Sequence, residues 1–217
     1  MTEGFLKMIR GAAPEESAPP PQPDERVPRH STGLAEFHRL VEGEGKLRVL
    51  DLGPTSPTNI AYLIGKGHKV YQEDILRAAV SSRYAVKDKN GKVTMDAERF
   101  LAENLQYTAT VLDAALCWDV ADYLPEAFVR PAVARLHRAL KPRGVLLAFF
   151  HTRDAGPEAP HYRYHLMDRE NLELQPGPQF RLQRVFQNRH IENLFKDFSS
   201  VKFFLARDHV REVLVVK

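Results

Sequence analysis

The sequence has almost no cysteine and no long apolar run, and each shortage excludes a class of protein. Cys117 is the only cysteine among the 217 residues, so neither a disulfide framework nor a cysteine-based zinc site can form. No uninterrupted apolar run approaches the roughly 18 residues that a membrane span needs. The apolar stretch GFLKMI near the N-terminus is too short for a signal peptide and is interrupted by Lys7. We therefore expect a soluble, cytoplasmic protein.

Glycine is also missing from a loop that begins like a nucleotide-binding turn. In VLDLGPTSPTN, residues 49–59, an apolar run ends in Asp51, and Gly53 follows at the spacing of a tight turn from strand to helix. A phosphate- or dinucleotide-binding loop would continue with glycine, because its backbone N–H groups must reach the phosphate. Here Pro54 and Pro57 remove two such donors. The loop disfavours a phosphate ligand, and the missing G-x-G-x-x-G argues against a nicotinamide-dependent oxidoreductase.

Proline, by contrast, is concentrated near the N-terminus. Residues 11–30 hold six of the 15 prolines, with Ala, Glu and Ser between them. Such a segment has little apolar surface to bury, so we expect residues 1–30 to form a disordered tail that folding does not need. The short apolar patch from Phe5 to Ile9 is either loose or docks on a partner or on the domain. The folded domain is then residues 31–217.

The net charge of +3 conceals an asymmetry along the chain. From Arg130 onward, 16 Lys and Arg stand against 9 Asp and Glu, whereas the preceding part has 15 against 19. The basic part either faces an anionic substrate, a nucleic acid or lipid headgroups, or is only a solvated surface.

From Ser31 onward, short apolar runs alternate with segments of helical periodicity. The strands are predicted in KLRVLDL, HKVYQED, residues 92–95, LDAALCW, GVLLAFFH and two runs within VKFFLARDHVREVLVVK. This alternation predicts an α/β fold, a doubly wound and mostly parallel sheet of seven strands with helices on both faces. The last two runs are too close together for a helical crossover, so they must form an antiparallel C-terminal hairpin.

Ligands bind to such sheets at the carboxyl ends of the strands, and here those ends form an acidic rim. The residues that follow the predicted strands are Asp51 with Gly53, Glu73 with Asp74, Asp96, Trp118 with Asp119, and His151. Carboxylates accept hydrogen bonds from a diol and attract a cation. The rim therefore suits a ligand that has ribose hydroxyls and a positive centre.

At this point the chain resembles the class I S-adenosylmethionine-dependent methyltransferases. VLDLGPTSPTNIAYLIGKGHKVYQED is similar to the first motifs of that family, LDAALCWDVADYL to its fourth motif, and ALKPRGVLLAFF to the signature before its fifth strand. The resemblance covers about residues 34–216. It implies a Rossmann-like methyltransferase fold, S-adenosylmethionine as the cofactor, and a small or macromolecular methyl acceptor.

The resemblance also implies which residues bind the cofactor: Asp51, Gly53, Thr55, Glu73, Asp74, Asp96 and Trp118. Asp51 and Gly53 stand at the first acid and first glycine of the motif, and Asp74 stands at the acid that holds the ribose. The second and third glycines of the family's loop are replaced, and Thr55 or Ser56 could hydrogen-bond the methionine carboxylate instead. This departure leaves a second function open, a catalytically silent methyltransferase-like module that binds or scaffolds.

Several of these residues also have a purely structural interpretation. Asp51 could cap the loop that follows it, Glu73 or Asp74 the helix at ILRAAV, and Asp96 the helix at AERF. Trp118 could be a core aromatic that covers the sheet edge.

Asp119 and His151 are the candidates for a catalytic base near the transferred methyl group. Positioning supplies much of the rate of methyl transfer, so a base helps only if the nucleophile must lose a proton. We predict no metal site, because His161 and His165 have a metal-like spacing but no third ligand accompanies them.

A long polar connection follows the fifth predicted strand, at residues 152–187. Connections of this length at the carboxyl edge of a sheet tend to be lids or binding loops. Its charged residues, among them Arg163 and Arg169, are mostly cationic, and Tyr and Phe are interleaved with them. Either it folds over the cofactor and admits an anionic or aromatic acceptor, or it is a peripheral β-hairpin that shields the sheet edge.

Overall fold

The structure is a computed structural model that describes residues 25–87, 89–152, 161–177, 180–206 and 208–217. Its strands are β1 (Val27–His30), β2 (Arg48–Leu52), β3 (Lys69–Glu73), β4 (Ala85–Lys87), β5 (Val93–Met95), β6 (Leu112–Trp118), β7 (Leu140–His151), β8 (Tyr162–Leu166), β9 (Asn171–Pro176), β10 (Ser200–Leu205) and β11 (Val210–Val216). Its helices are α1 (Thr32–Val41), α2 (Pro57–Gly65), α3 (Ile75–Ala79), α4 (Ala97–Glu103), α5 (Val120–Tyr123), α6 (Glu126–Ala139) and α7 (Asn188–Leu194). None of the described helices is long and apolar enough to cross a membrane.

The central sheet follows the predicted α/β pattern. Its strand order is β10-β11-β7-β6-β2-β3. The four strands from β7 to β3 are parallel, while β11 runs antiparallel to β7 and pairs with β10 as the C-terminal hairpin. The order reverses between β2 and β6, so the carboxyl ends of these two strands meet at the switch point of the sheet. The predicted fold class is confirmed.

The strand count differs from the prediction, because residues 92–95 do not join the central sheet. β5 instead pairs antiparallel with β4 in a separate two-stranded hairpin. Val86 and Val93 are 39% and 59% exposed, so this hairpin has little apolar surface to bury against the main sheet. The central sheet therefore has six strands in the part of the chain that the structure describes, not seven.

The sheet is buried on both faces, as β7 illustrates. Leu146 and Phe150 point into a core shared with α3, α4, α6 and α7, whereas Leu147 and Phe149 point into a second core on the opposite face. That second core is completed by α1, α2 and a small three-stranded sheet, ordered β1-β9-β8. β8 and β9 of this small sheet come from the connection predicted to be either a lid or a hairpin. These two strands form a hairpin, to which β1 adds a third strand.

The domain begins before the predicted boundary at residue 31. β1 pairs antiparallel with β9, from Val27 opposite Leu174 to His30 opposite Asn171. Arg29 is only 8% exposed and lies inside the domain. The N-terminal segment expected to be disordered therefore ends with a strand that folding uses, while residues 1–24 of that prediction lie outside the described residues.

Candidate functional site

At the carboxyl end of β2, the carboxylate of Asp51 is held by two hydrogen bonds. Asp51 is 1% exposed, and its Oδ2 accepts a hydrogen bond of 2.9 Å from Asn59 Nδ2. Its Oδ1 accepts one of 2.7 Å from the indole N–H of Trp118. Burial raises the pKa of Asp51 to about 6, although the two hydrogen bonds act in the opposite direction.

Trp118 lies directly over Gly53. A Cβ atom at Gly53 would come within 3.2 Å of the indole Cδ1, so any larger residue there would press on the ring. Trp118 itself has a φ of 41°, next to a register shift in β6, and this left-handed backbone turns its side chain across the sheet end. The indole stacks on Tyr164 with ring centroids 4.9 Å apart and planes 7° apart. Trp118 therefore fills the space beside the first glycine of the loop.

The rest of this loop is fastened to β8. Ser56 Oγ lies 2.8 Å from His165 Nδ1, and it also caps α2 by accepting from the backbone N–H of Asn59. The side-chain amide of Asn59 makes two hydrogen bonds to the backbone of β8. It donates to the carbonyl of Tyr164 at 3.0 Å and accepts from the N–H of Leu166 at 2.7 Å. The sequence does not reveal these contacts, because the partners lie more than 100 residues apart.

The second predicted acid pair, at the end of β3, borders an open cavity of about 290 Å³. Its wall consists of Glu73, Asp74, Ile75 and residues 103–106 at the end of α4. Asp74 Oδ1 caps α3 by accepting from the N–H of Arg77 at 3.2 Å, while Glu73 Oε2 accepts from the N–H of Leu105 at 2.9 Å. Capping and ligand binding remain compatible for Asp74, since Oδ2 accepts no hydrogen bond from any described residue.

The remaining two cofactor candidates are not brought to this cavity. Asp96 caps α4 by accepting from the N–H of Arg99 at 2.9 Å and does not line the cavity, which favours its structural interpretation. Thr55 is exposed on the loop before α2. Gln72, which the sequence did not single out, donates to the carbonyls of Asp51 and Gly53 and so fixes the turn.

The two predicted catalytic residues do meet, at the carboxyl ends of β6 and β7. His151 Nε2 lies 3.5 Å from Asp119 Oδ2 and 3.2 Å from the hydroxyl of Tyr123. His161 Nδ1 approaches the other oxygen of Asp119, at 3.2 Å. We call Asp119, His151 and His161 the imidazole–carboxylate cluster. His161 was missed as a member because only the tertiary fold brings it to Asp119.

Burial and charge act in opposite directions at this cluster. Burial raises the pKa of Asp119, but the imidazoles of His161 and His151 outweigh it and hold that pKa below its ordinary value. Asp122, which accepts from the backbone N–H of His151, has its pKa raised by burial, and the negative charge of Asp119 adds to the rise. Two neighbouring buried carboxyl groups therefore have pKa values displaced in opposite directions, down for Asp119 and up for Asp122. Among the described residues, no group of three or more His, Cys, Asp or Glu side chains is arranged to hold a metal ion.

Comparison with known proteins identifies the fold and the class. Residues 50–148, from β2 to β7, match the family model described as a methyltransferase domain. The resemblance to class I S-adenosylmethionine-dependent methyltransferases is thereby confirmed, and S-adenosylmethionine is the cofactor of that class. No curated protein gave a significant match.

One solved structure shows the same fold at low identity, and two others are similar to this chain at lower TM-scores. An S-adenosylmethionine-dependent methyltransferase from Methanosarcina mazei has a TM-score of 0.50 at 18% identity, over 84% of this chain and 96% of that one. A 1,6-didemethyltoxoflavin-N1-methyltransferase from Burkholderia thailandensis, solved with its substrate and S-adenosylhomocysteine, has a TM-score of 0.46 at 15% identity, over 85% and 76%. A methyltransferase from Aquifex aeolicus has a TM-score of 0.45 at 14% identity, over 86% and 89%.

The residues at the sheet edge suit the two halves of this cofactor differently. The cavity beside Asp74 offers carboxylate oxygens to ribose hydroxyls and an apolar wall at Ile75, so it suits the adenosine half. The space beside Gly53 holds the indole of Trp118 instead. A methionine half placed beside Gly53 would have to displace this indole.

Proposed function

We propose that the protein is an S-adenosylmethionine-dependent methyltransferase with a small-molecule or macromolecular acceptor. The observation that carries the proposal is the family match over residues 50–148, because that segment contains β2, β3, β6 and β7, whose carboxyl ends form the site. We retain a cytoplasmic location as a prediction.

In this proposal the acid pair after β3 orients the cofactor. Asp74 Oδ2 would accept a hydrogen bond from a ribose hydroxyl, and Ile75 would offer apolar surface to the base. Asp51 and Gly53 would hold the turn beside the methionine half, and the exposed Thr55 would be a donor to its carboxylate. The cofactor supplies a methyl group on a sulfonium, which is already activated for displacement. The protein then has to position the acceptor and, where the acceptor is protonated, to take up its proton.

Binding of S-adenosylhomocysteine, measured by calorimetry, tests the placement at Asp74. Replacing Asp74 with Ala removes a charged acceptor from the ribose diol, which should cost ~1.5–3 kcal/mol, or about ten- to a hundredfold in affinity. Asp96→Ala is the matched control, since it removes the equivalent cap from α4 without touching the cavity. Equal losses in both variants would mean that capping, not ribose binding, explains the effect. NADH serves as the ligand of the competing oxidoreductase class and should not bind.

The fluorescence of Trp118, the only tryptophan in the chain, tests whether the ring leaves Gly53. S-adenosylhomocysteine should change the emission, because binding separates the indole from Tyr164 and Asp51. Adenosine alone should bind in the cavity and leave the emission as it was. An unchanged emission with saturating S-adenosylhomocysteine would refute the movement.

A catalytically silent module is the second candidate function, and the position of Trp118 favours it. The indole is held by Asp51, Tyr164 and the close contact at Gly53, so the chain itself occupies part of the cofactor site. A silent module should fail to bind S-adenosylhomocysteine even at millimolar concentration. Trp118→Ala, which empties the space, should then restore binding without producing activity.

A further inference from the structure

A second cavity, of about 350 Å³, lies between the small sheet and the carboxyl end of β7. Its lining includes Tyr162 and Tyr164 of β8 and Leu174 of β9. His151, His209, Arg29 and Asp208 also line it. The volume is that of a pocket for one small organic molecule.

This cavity opens onto the imidazole–carboxylate cluster through His151. The Nε2 atom of that ring faces inward, toward Asp119 and Tyr123. Nδ1 makes no hydrogen bond with any residue that the structure describes, so it is the nitrogen available to a molecule in the cavity. A hydrogen on Nε2 leaves the lone pair on Nδ1, which is the arrangement of a base.

The cluster stabilises a proton that arrives at His151. Asp119 is fully buried, and the only positive charges within ion-pair distance of it, among the described residues, are those that His151 and His161 can carry. A buried carboxylate favours the charged form of a neighbouring imidazole. Asp119 and His161 therefore act as positioning residues, whereas His151 is the group that a bound molecule touches.

The charges around the cavity do not favour an anionic ligand. Arg29 is the one arginine in its wall, and it is already paired with Asp208 and with Glu212, the latter at 2.6 Å. The arginines that suggested an anionic acceptor are also engaged away from it. Arg163 donates to Gln175, and Arg169 forms an exposed pair with Glu42 at 2.7 Å. Besides Asp208, the wall holds aromatic and apolar surface and the imidazoles of His151 and His209, of which His151 contacts Asp119.

We propose that this cavity receives the methyl acceptor, and that the acceptor is a small, uncharged aromatic molecule whose ionisable O–H or N–H gives its proton to His151. The bond between the proton and the acceptor atom breaks, its electron pair stays on the acceptor as the nucleophile, and His151 Nδ1 gains the proton and passes it later to water. This inference rests on the proposed methyltransferase function for the identity of the reaction, but the binding and ionisation of the aromatic molecule do not need the cofactor.

Three nitro-substituted benzenes test the proposal without any cofactor, so failure here is distinguishable from failure to bind S-adenosylhomocysteine. 4-Nitrophenol carries the ionisable proton, 4-nitroanisole has the same ring without it, and 4-nitrobenzoate has a fixed negative charge. We expect the phenol and the anisole to bind, and the benzoate to bind at least about tenfold more weakly. Leu174→Trp should abolish the binding by filling the cavity. Equal or tighter binding of the benzoate would overturn the choice of a neutral ligand, and no binding of any probe would overturn the site.

Absorbance of the bound phenolate tests His151 directly. The phenolate absorbance of the bound phenol should appear at least about one pH unit below that of the free phenol, a tenfold shift, because the proton is held on His151 beside Asp119 and the complex as a whole gains no charge. His151→Gln should remove this shift while 4-nitroanisole binds within about twofold of the parent. Asp119→Asn should reduce the shift, and His161→Gln, which keeps the carboxylate, should reduce it less. His30→Gln, an exposed substitution on the other face of β1, is the control and should change nothing. A shift that survives His151→Gln would overturn the role of this residue.

Discussion

The buried ion pair between Arg29 and Glu212 should fasten the small sheet to the central sheet. Their side chains are 6% and 1% exposed, and the guanidinium lies 2.6 Å from the carboxylate and over the ring of Phe149. Glu212, on β11, also accepts from the backbone N–H of Gly33. Replacing Arg29 with Leu would leave a buried carboxylate that has lost its cation.

The expected cost follows from the burial of both partners. Removing one member of a buried pair typically costs 3–5 kcal/mol, and the hydrogen bond from Gly33 that remains to Glu212 places this case near the lower end, at about 3 kcal/mol. Asp208, the second partner of Arg29, is 40% exposed and adds little. For a domain of this size about 3 kcal/mol corresponds to a decrease in Tm of roughly 6–12 °C.

Thermal unfolding followed by circular dichroism measures this effect. Arg26→Leu is the matched control, because it breaks the pair with Glu173, whose side chains are 42% and 28% exposed, and should cost less than ~1 kcal/mol. Arg29→Leu combined with Glu212→Leu should recover part of the loss, since no charge is then left unpaired. Deleting residues 2–30 should resemble Arg29→Leu, whereas deleting residues 2–24 should leave Tm nearly unchanged. If Arg29→Leu shifts Tm no more than Arg26→Leu does, the pair does not stabilise the domain.

Two further predictions concern buried groups of the central sheet. The pKa of Asp51 is about 6 in the folded state, above its unfolded value, so the folded state binds more protons than the unfolded state between about pH 4 and 6. The free energy of unfolding therefore falls by about 3 kcal/mol as the pH rises through that window. Urea unfolding at pH 4.5 and 7 should show about 2 kcal/mol of this fall in the parent, because part of the window lies below pH 4.5, and a smaller fall in Asp51→Asn. Identical falls would contradict the prediction. Cys117 is buried and burial raises the pKa of its thiol, so a disulfide reagent at pH 8 should modify it only after unfolding, and rapid modification of the native protein would show that β6 is not buried as described.

The central sheet could be predicted from the sequence because its signals are local. GVLLAFFH is apolar on both faces of β7, and the spacing of the last two runs allows only an antiparallel hairpin. The same reasoning fails for residues 92–95, since four residues of strand pattern do not indicate which strand they will pair with. Their partner is β4, the strand that precedes them across a turn.

The small sheet and the cluster could not be predicted, because each depends on partners far away in the chain. β1 reads VPRH, whose proline and two basic residues give no strand pattern, and Arg29 faces inward only because Glu212 is there. His161 and His165 have a spacing that suggests a metal on a helix. In the structure the two side chains have different partners, since His161 approaches Asp119 and His165 contacts Ser56.

The residues that replace glycine in VLDLGPTSPTN are explained by what lies against the loop. Ser56 caps α2 and contacts His165, and Pro57 occupies the first helical position, where a missing N–H costs nothing. Asn59 then joins Asp51 to the backbone of β8. Gly53 alone is retained, because the indole of Trp118 needs its missing side chain. In this state the loop therefore binds β8 and Trp118, and any cofactor that enters must exchange with contacts that the chain already makes to itself.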